Sequence, residues 1–253
     1  MFSFFVSFSL NGYAQRIPTE YARMKIFHRL ISLLSPLQVQ THQIGWVKNL
    51  IRSRYSASDE GRMDDKKHME IILMRHGEPQ HRGEPKVSYR EMAEWIESYN
   101  RSSTGSDRPP EMAQILAYRA LTFLSSPLPR ALSSLKTLGC EPGLIDEVFR
   151  EAELPVFRIP GLRLSPFYWV ALFRVLWLCG LSGEAECVSI AKKRAAKAAE
   201  ILVTAAKGSD GPVLLMGHGI INRFIAKELI ASGWKEQTRT GKGYWGAGVY
   251  SVV

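Results

Sequence analysis

Cysteine is scarce: Cys140, Cys179 and Cys187 are the only three in 253 residues. They form an odd set without a Cys-x-x-Cys pair or Cys/His ligand spacing, which argues against a disulfide framework or a zinc finger and fits a reducing compartment such as the cytoplasm. No Gly-rich loop ends in Lys-Ser or Lys-Thr, and no carboxylates cluster as they do around paired metal ions, so neither a metal nor a cofactor is expected. A Gly-x-Ser-x-Gly elbow is also missing, which leaves Ser125 and Ser126 as turn-shaping residues rather than nucleophiles. No apolar run reaches the ~20 residues that span a bilayer. The stretch Pro166 to Leu181 is nearly all apolar but is interrupted by Arg174 and closed by Gly180 and Gly183. It reads as a buried helix or a hydrophobic lid in preference to a membrane-surface segment. Tandem repeats and low-complexity tracts are absent.

What the chain does contain is a basic balance and enough apolar residues for one sizeable core. The hydrophobic fraction is 45%, and 33 Lys/Arg stand against 24 Asp/Glu, a formal net charge of +9. Residues 1–68 hold ten of the cations and five of the anions, and residues 69–253 hold 23 and 19. The positive charges are scattered and no finger, heptad array or RNA-binding signature accompanies them, so a nucleic-acid partner is not expected. A mild positive field does raise the encounter rate with small anions. The opening Met1 to Leu10 resembles the core of a signal peptide, with Gly12-Tyr13-Ala14 as a small-residue site, but no Lys or Arg precedes it. Export is the alternative to a cytoplasmic location, and membrane association through residues 1–34 or 166–181 is a further reading of location. Ser53 to Lys67 has the composition of a linker. The chain is therefore divided into an N-terminal extension, residues 1–68, poorly structured or partly helical, and a catalytic domain, residues 69–253.

Beyond residue 68, segments of two periodicities alternate. Ile71 to Met74 and Val213 to Met216 are short apolar runs suited to buried parallel strands, and Leu121 to Ser125 is a third. Leu144 to Phe149 is expected as a further strand at a sheet edge, and Gly246 to Val253 ends in a last one. Helices are expected from Ser88 to Tyr99, with Ser88 and Glu91 forming a capping box, from Pro129 to Leu138 between an initial Pro and a terminal Gly139, from Glu184 to Ala206, and from Gly219 to about Ala231. The alternation predicts an α/β fold: a three-layer α/β/α sandwich around a mainly parallel sheet.

In such sheets ligands gather at the carboxyl ends of the strands. Three ends carry polar residues: Arg75-His76-Gly77, Ser125-Ser126-Pro127-Leu128-Pro129-Arg130, and Gly217-His218-Gly219. Two imidazoles and two guanidinium groups suit a phosphoryl group, because guanidinium forks pair with phosphate oxygens and an imidazole can attack phosphorus or donate to oxygen. His28, His42, His68 and His81 lack this context and read as ordinary histidines.

These motifs, together with Leu73 to Glu78, Phe149-Arg150-Glu151 and Met216 to Gly219, resemble the histidine phosphatase superfamily, also called phosphoglycerate-mutase-like, with the RHG motif at Arg75-His76-Gly77. The resemblance spans residues 69–253 and implies a metal-independent phosphatase acting through a phosphohistidine intermediate on His76. Arg75, Arg130 and His218 would hold the phosphoryl oxygens. Glu151 would protonate the leaving oxygen, with Glu153 and Glu78 as rivals, because Ala152-Glu153-Leu154-Pro155 departs from the glycine-and-tryptophan continuation of relatives. Mutases of the family carry Trp-Asn shortly after the motif, where this chain reads Glu78-Pro-Gln-His-Arg82, and paired arginines for a sugar acid are missing because Arg158 and Arg163 are isolated. The resemblance thus implies hydrolysis of a phosphorylated small molecule or a phosphoprotein. Its alternatives are a mutase-type phosphotransferase, or a binding module that presents Trp169, Phe173 and Trp177 to a partner.

Overall fold

Strands that are apolar at every position need cover on both faces, and the two central strands have it. The computed structural model describes residues 69–81 and 85–252. The N-terminal extension, with its signal-like start and His28, His42 and His68, lies outside the described residues. Six strands form one sheet: β1 (Glu70–Arg75), β2 (Thr122–Ser125), β3 (Leu144–Ile145), β4 (Val213–Gly217), β5 (Lys235–Thr240) and β6 (Ala247–Ser251), in the order β3-β2-β4-β1-β6-β5. The first four of that order are parallel neighbours, and β6 and β5 add antiparallel pairs at the other edge.

Six helices are described: α1 (Tyr89–Arg101), α2 (Glu111–Arg119), α3 (Pro129–Thr137), α4 (Pro166–Leu178), α5 (Val188–Gly208) and α6 (Gly219–Ala231). Ile71, Leu73, Val213 and Leu215 pack on one face against α5 and α6, through Ala195, Leu202 and Ile225 among others. Ile72, Met74, Leu214 and Met216 pack on the other against α2 and α3, through Leu116 and Leu135. The period-2 alternation of each strand thus feeds two separate cores, and the architecture is the expected three-layer α/β/α sandwich.

Local expectations hold where the chemistry is local. Ser88 caps α1, with its backbone N–H and Oγ both on Glu91 at 2.7 and 2.6 Å. Pro129 opens α3, and Gly139 follows it with φ +70°, a conformation that costs little only for glycine. Three expectations need correction. The strand from Leu144 stops at Ile145, because the Asp146 carboxylate accepts the Val148 N–H and turns the chain into a 3-10 helix, Glu147–Phe149. The helix expected from Glu184 starts at Val188; Glu186 is held by Arg194, whose guanidinium grips its carboxylate at 2.7 and 2.8 Å. Trp169, Phe173 and Trp177 are fully buried, so they form no docking surface.

Those three aromatics account for the buried face of the apolar stretch before Leu181, while Phe167, Tyr168, Val175 and Leu178 are exposed. Trp169 and Phe173 join Val87, Met92 and Trp95 in a third cluster between α4 and α1, and Trp169 Nε1 donates to the Val87 carbonyl at 2.8 Å. Trp177 faces the sheet-side core and donates to the Glu186 carbonyl at 2.6 Å. Each indole thereby buries its apolar body while its one polar atom is satisfied. Among the described residues no helix is long and apolar enough to cross a membrane.

Candidate active site

Sheet order makes neighbours of the three loaded strand ends. Parallel pairing sets Arg75 beside Gly217, and Met216 beside Ser125, so the next residues, His76, His218 and Ser126, emerge side by side at the same edge. The His76 and His218 ring centroids are 5.0 Å apart. Arg75 and Arg130 both act electrostatically on both rings. The loop after β1 is pinned: Gly77 N–H donates to Ser134 Oγ on α3 at 2.9 Å, and Thr104 bridges Ser134 and the Arg130 carbonyl. Gly77 must be glycine, because a Cβ there would overlap the Trp245 ring and the Thr104 methyl.

The hydrogen bonds of His76 fix which nitrogen can react. Nδ1 lies 2.7 Å from the Gly77 carbonyl oxygen, which only accepts, so Nδ1 carries the proton and Nε2 keeps its lone pair. Burial, then the charge of Arg130 and, more weakly, that of Arg75, lower the His76 pKa to about 3 against the pull of the Gly77 carbonyl. His218 is pushed well below the ordinary imidazole range by burial, Arg130, His76 and Arg75. Its Nε2 lies 2.8 Å from Ser126 Oγ, while Nδ1 is buried without a partner. With the Ser126 hydroxyl donating to Nε2, the His218 proton sits on Nδ1.

Both arginines are short of partners. Arg130 is 2% exposed, reaches the Tyr99 carbonyl and Asn100 Oδ1 only at 3.4 and 3.3 Å, and lies over the Tyr99 ring. Arg75 stacks on the Tyr244 ring with its Cζ 4.4 Å from the centroid. The Nε of each is buried and unbonded, and neither side chain forms an ion pair among the described residues. An unneutralised buried cation costs several kcal/mol in a low-dielectric interior. Two unpartnered buried guanidinium donors beside two imidazoles therefore make a cradle complementary to a compact anion. No group of three or more His, Cys, Asp or Glu capable of holding a metal occurs among the described residues.

Of the three carboxylates considered for the acid, Glu151 lies beside this cradle. Its oxygens accept the N–H groups of Ile220 and Ile221 at the start of α6, at 3.0 to 3.2 Å, and that of Ala152 at 3.0 Å. A Cβ on Gly219 would sit 3.7 Å from Arg75 Nε and 3.8 Å from Glu151 Oε2, so the two groups flank one point. Glu153 accepts the Glu186 N–H at 2.9 Å, an anchor for the turn before α5. Glu78 has its backbone N–H on Asp107 Oδ2 at 3.0 Å. His81 packs against Trp95 on α1. Ser126, Tyr99, Asn100 and Tyr244 were not anticipated as site residues; a Gly-Lys-Gly-Tyr-Trp-Gly run before the last strand was the one available hint of a close-packed loop.

Fold and cradle together define an α/β/α protein with a buried, doubly histidine, doubly arginine anion pocket at the carboxyl edge of its parallel strands. No protein-family model matches the chain, and no curated protein matches it. Solved structures similar to it include the open reading frame Rv3214 of Mycobacterium tuberculosis, at 14% identity over 72% of this chain and 90% of that one, with a TM-score of 0.48. A phosphoserine phosphatase variant from Entamoeba histolytica, in complex with phosphoserine, matches at 16% over 71% and 89%, with a TM-score of 0.45. A phosphoglycerate mutase from Bacillus anthracis matches at 20% over 76% and 94%, also with a TM-score of 0.45.

Proposed function

We propose that this protein is a metal-independent phosphatase of the histidine phosphatase type, hydrolysing a phosphomonoester or a protein phosphohistidine through a phosphohistidine on His76. The observation that carries the reading is the free Nε2 lone pair of His76 beside two unpartnered buried guanidinium donors, Arg75 Nε and Arg130 Nε, and the unpartnered Nδ1 of His218. Nε2 attacks phosphorus as the bond to the leaving oxygen breaks, and the developing charge on the phosphoryl oxygens is met by donors already in place. The Glu151 carboxyl gives its proton to the leaving oxygen. Water then attacks phosphorus, the P–N bond breaks, the proton from water returns to Glu151, and phosphate departs. Hydrolysis is favoured over transfer because the segment after the Arg-His-Gly motif lacks the Asn of mutases.

Two measurements test this. The full chain is expected to hydrolyse p-nitrophenyl phosphate at an unchanged rate after treatment with a chelator; absence of turnover, or its loss with the chelator, overturns the proposal. Glu151→Gln is expected to slow an alkyl phosphate, whose alkoxide needs a proton, by about 10²-fold or more, and p-nitrophenyl phosphate far less. Glu153→Gln should leave both rates within a few-fold of the parent. Equal losses on the two substrates for Glu151→Gln would remove it from the acid role.

A further inference from the structure

The two guanidinium groups of the cradle rest on aromatic faces, where partly buried arginines elsewhere in the chain are held by oxygen. Arg194 grips the Glu186 carboxylate at 2.7 and 2.8 Å. Arg174 also lies over an indole, that of Trp177, but gives its N–H groups to the Ala152 and Glu153 carbonyls at 3.0 and 3.1 Å. Arg75 and Arg130 have their Cζ atoms 4.4 and 4.8 Å from the ring centroids of Tyr244 and Tyr99. A ring face meets a guanidinium across its plane, whereas the N–H groups point within that plane. The aromatic partner therefore steadies the cation without taking the donors a carboxylate would occupy and without cancelling the charge. Burial, then the adjoining Tyr244, push the Tyr99 hydroxyl above the ordinary phenol range, so no phenolate forms to neutralise Arg130.

Both rings are themselves anchored. Tyr99 stacks on Trp95 at 5.2 Å with 17° between the planes, and Trp95 belongs to the aromatic cluster between α1 and α4. Tyr244 precedes Trp245, whose φ of +60° is the only positive value at a non-glycine residue among the described residues. A residue with a Cβ keeps that conformation only where its surroundings impose it. Trp245 Nε1 donates to Asp107 Oδ2 at 2.6 Å, its backbone N–H donates to the His76 carbonyl at 3.3 Å, and its ring packs on Gly77. We infer that Tyr99 and Tyr244 are positioning residues of the cradle: their ring faces hold Arg130 and Arg75 so that in-plane N–H groups, the buried Nε of each among them, stay open to phosphoryl oxygens. The strained turn at Trp245 sets the direction in which Tyr244 leaves the loop. The inference deepens the phosphatase reading and rests on its anion-binding step.

The test is calorimetric titration of inorganic phosphate into the full chain, with Phe and Leu replacing each tyrosine in turn. Tyr244→Leu and Tyr99→Leu, which keep an apolar side chain but no ring face, are each expected to weaken phosphate binding about ten-fold. Tyr244→Phe and Tyr99→Phe, which keep the face and lose the hydroxyl, should stay within about two-fold of the parent. Equal losses for Phe and Leu would place the effect in the hydroxyl groups, and unchanged binding in a folded Leu variant would leave the ring with packing alone. Either result overturns the inference, as does a parent that binds no phosphate at millimolar concentration. Near-ultraviolet dichroism reports folding, and Tyr244, half-buried in the β5–β6 loop, decides the inference alone should the Tyr99→Leu chain not fold. Turnover of p-nitrophenyl phosphate by the parent reports separately on the phosphatase reading: phosphate binding with the Phe–Leu contrast but no turnover upholds this inference and sinks that reading.

Discussion

His76→Ala is expected to lower turnover of any phosphomonoester by roughly 10⁴-fold or more, the loss found when a nucleophile that acts as part of a unit is removed. The size follows from the geometry. No other imidazole in the cradle is placed to substitute, because His218 Nε2 is engaged by Ser126 and its Nδ1 is the donor nitrogen when that hydroxyl donates. The two arginines stabilise a transition state but offer no lone pair. Rapid acid-free quenching of the parent with a labelled phosphodonor should trap an acid-labile, alkali-stable phosphoenzyme, and the variant should trap none. A variant retaining more than a tenth of the parent rate, with far-ultraviolet dichroism showing it folded, would remove His76 from the nucleophile role.

The sheet and the loci of the four cradle groups were legible because both are written in short apolar runs. Ile71 to Met74 and Val213 to Met216 have no polar interruption, so their ends, and hence Arg75-His76 and His218, could be read directly. Their adjacency could not: β4 inserts between β2 and β1 although it comes fourth in the chain, and only pairing reveals that. β5 was missed because Lys235 to Thr240 contains no apolar residue; its side chains are nearly all exposed, and it is recruited by backbone pairing with β6. Leu144 to Phe149 misled because a run with four apolar residues of six has the composition of a strand, while the break at Asp146 depends on one side-chain acceptor. Tyr244 and Ser126 reach the site through loops, where no periodicity reports direction.

Acid is expected to weaken the fold well above the range where carboxylates titrate. Both cradle histidines are held neutral: His76 with a pKa of about 3, first by burial and then by Arg130, and His218 well below the usual range for the same first two causes. In the unfolded chain each would titrate near 6.5. Below that value the unfolded state takes up protons that the folded state refuses, so the stability these groups contribute is complete above pH 6.5 and is lost as pH falls from there toward 3. Each imidazole contributes a slope of about 1.4 kcal/mol per pH unit inside that window, and the pair should cost about 4 kcal/mol between pH 7 and pH 5. Denaturant titrations in a buffer free of phosphate and sulfate would measure it, and His76→Asn should roughly halve the decline. A ligand that fills the cradle changes the sign of the argument locally: an oxyanion opposite Arg75 and Arg130 offsets the positive potential that keeps the imidazoles unprotonated, so vanadate should flatten the acid limb as well as raise stability at pH 7. Stability that stays level from pH 7 to pH 5 would mean that the two imidazoles are not buried beside those arginines, and the cradle itself would then have to be redrawn.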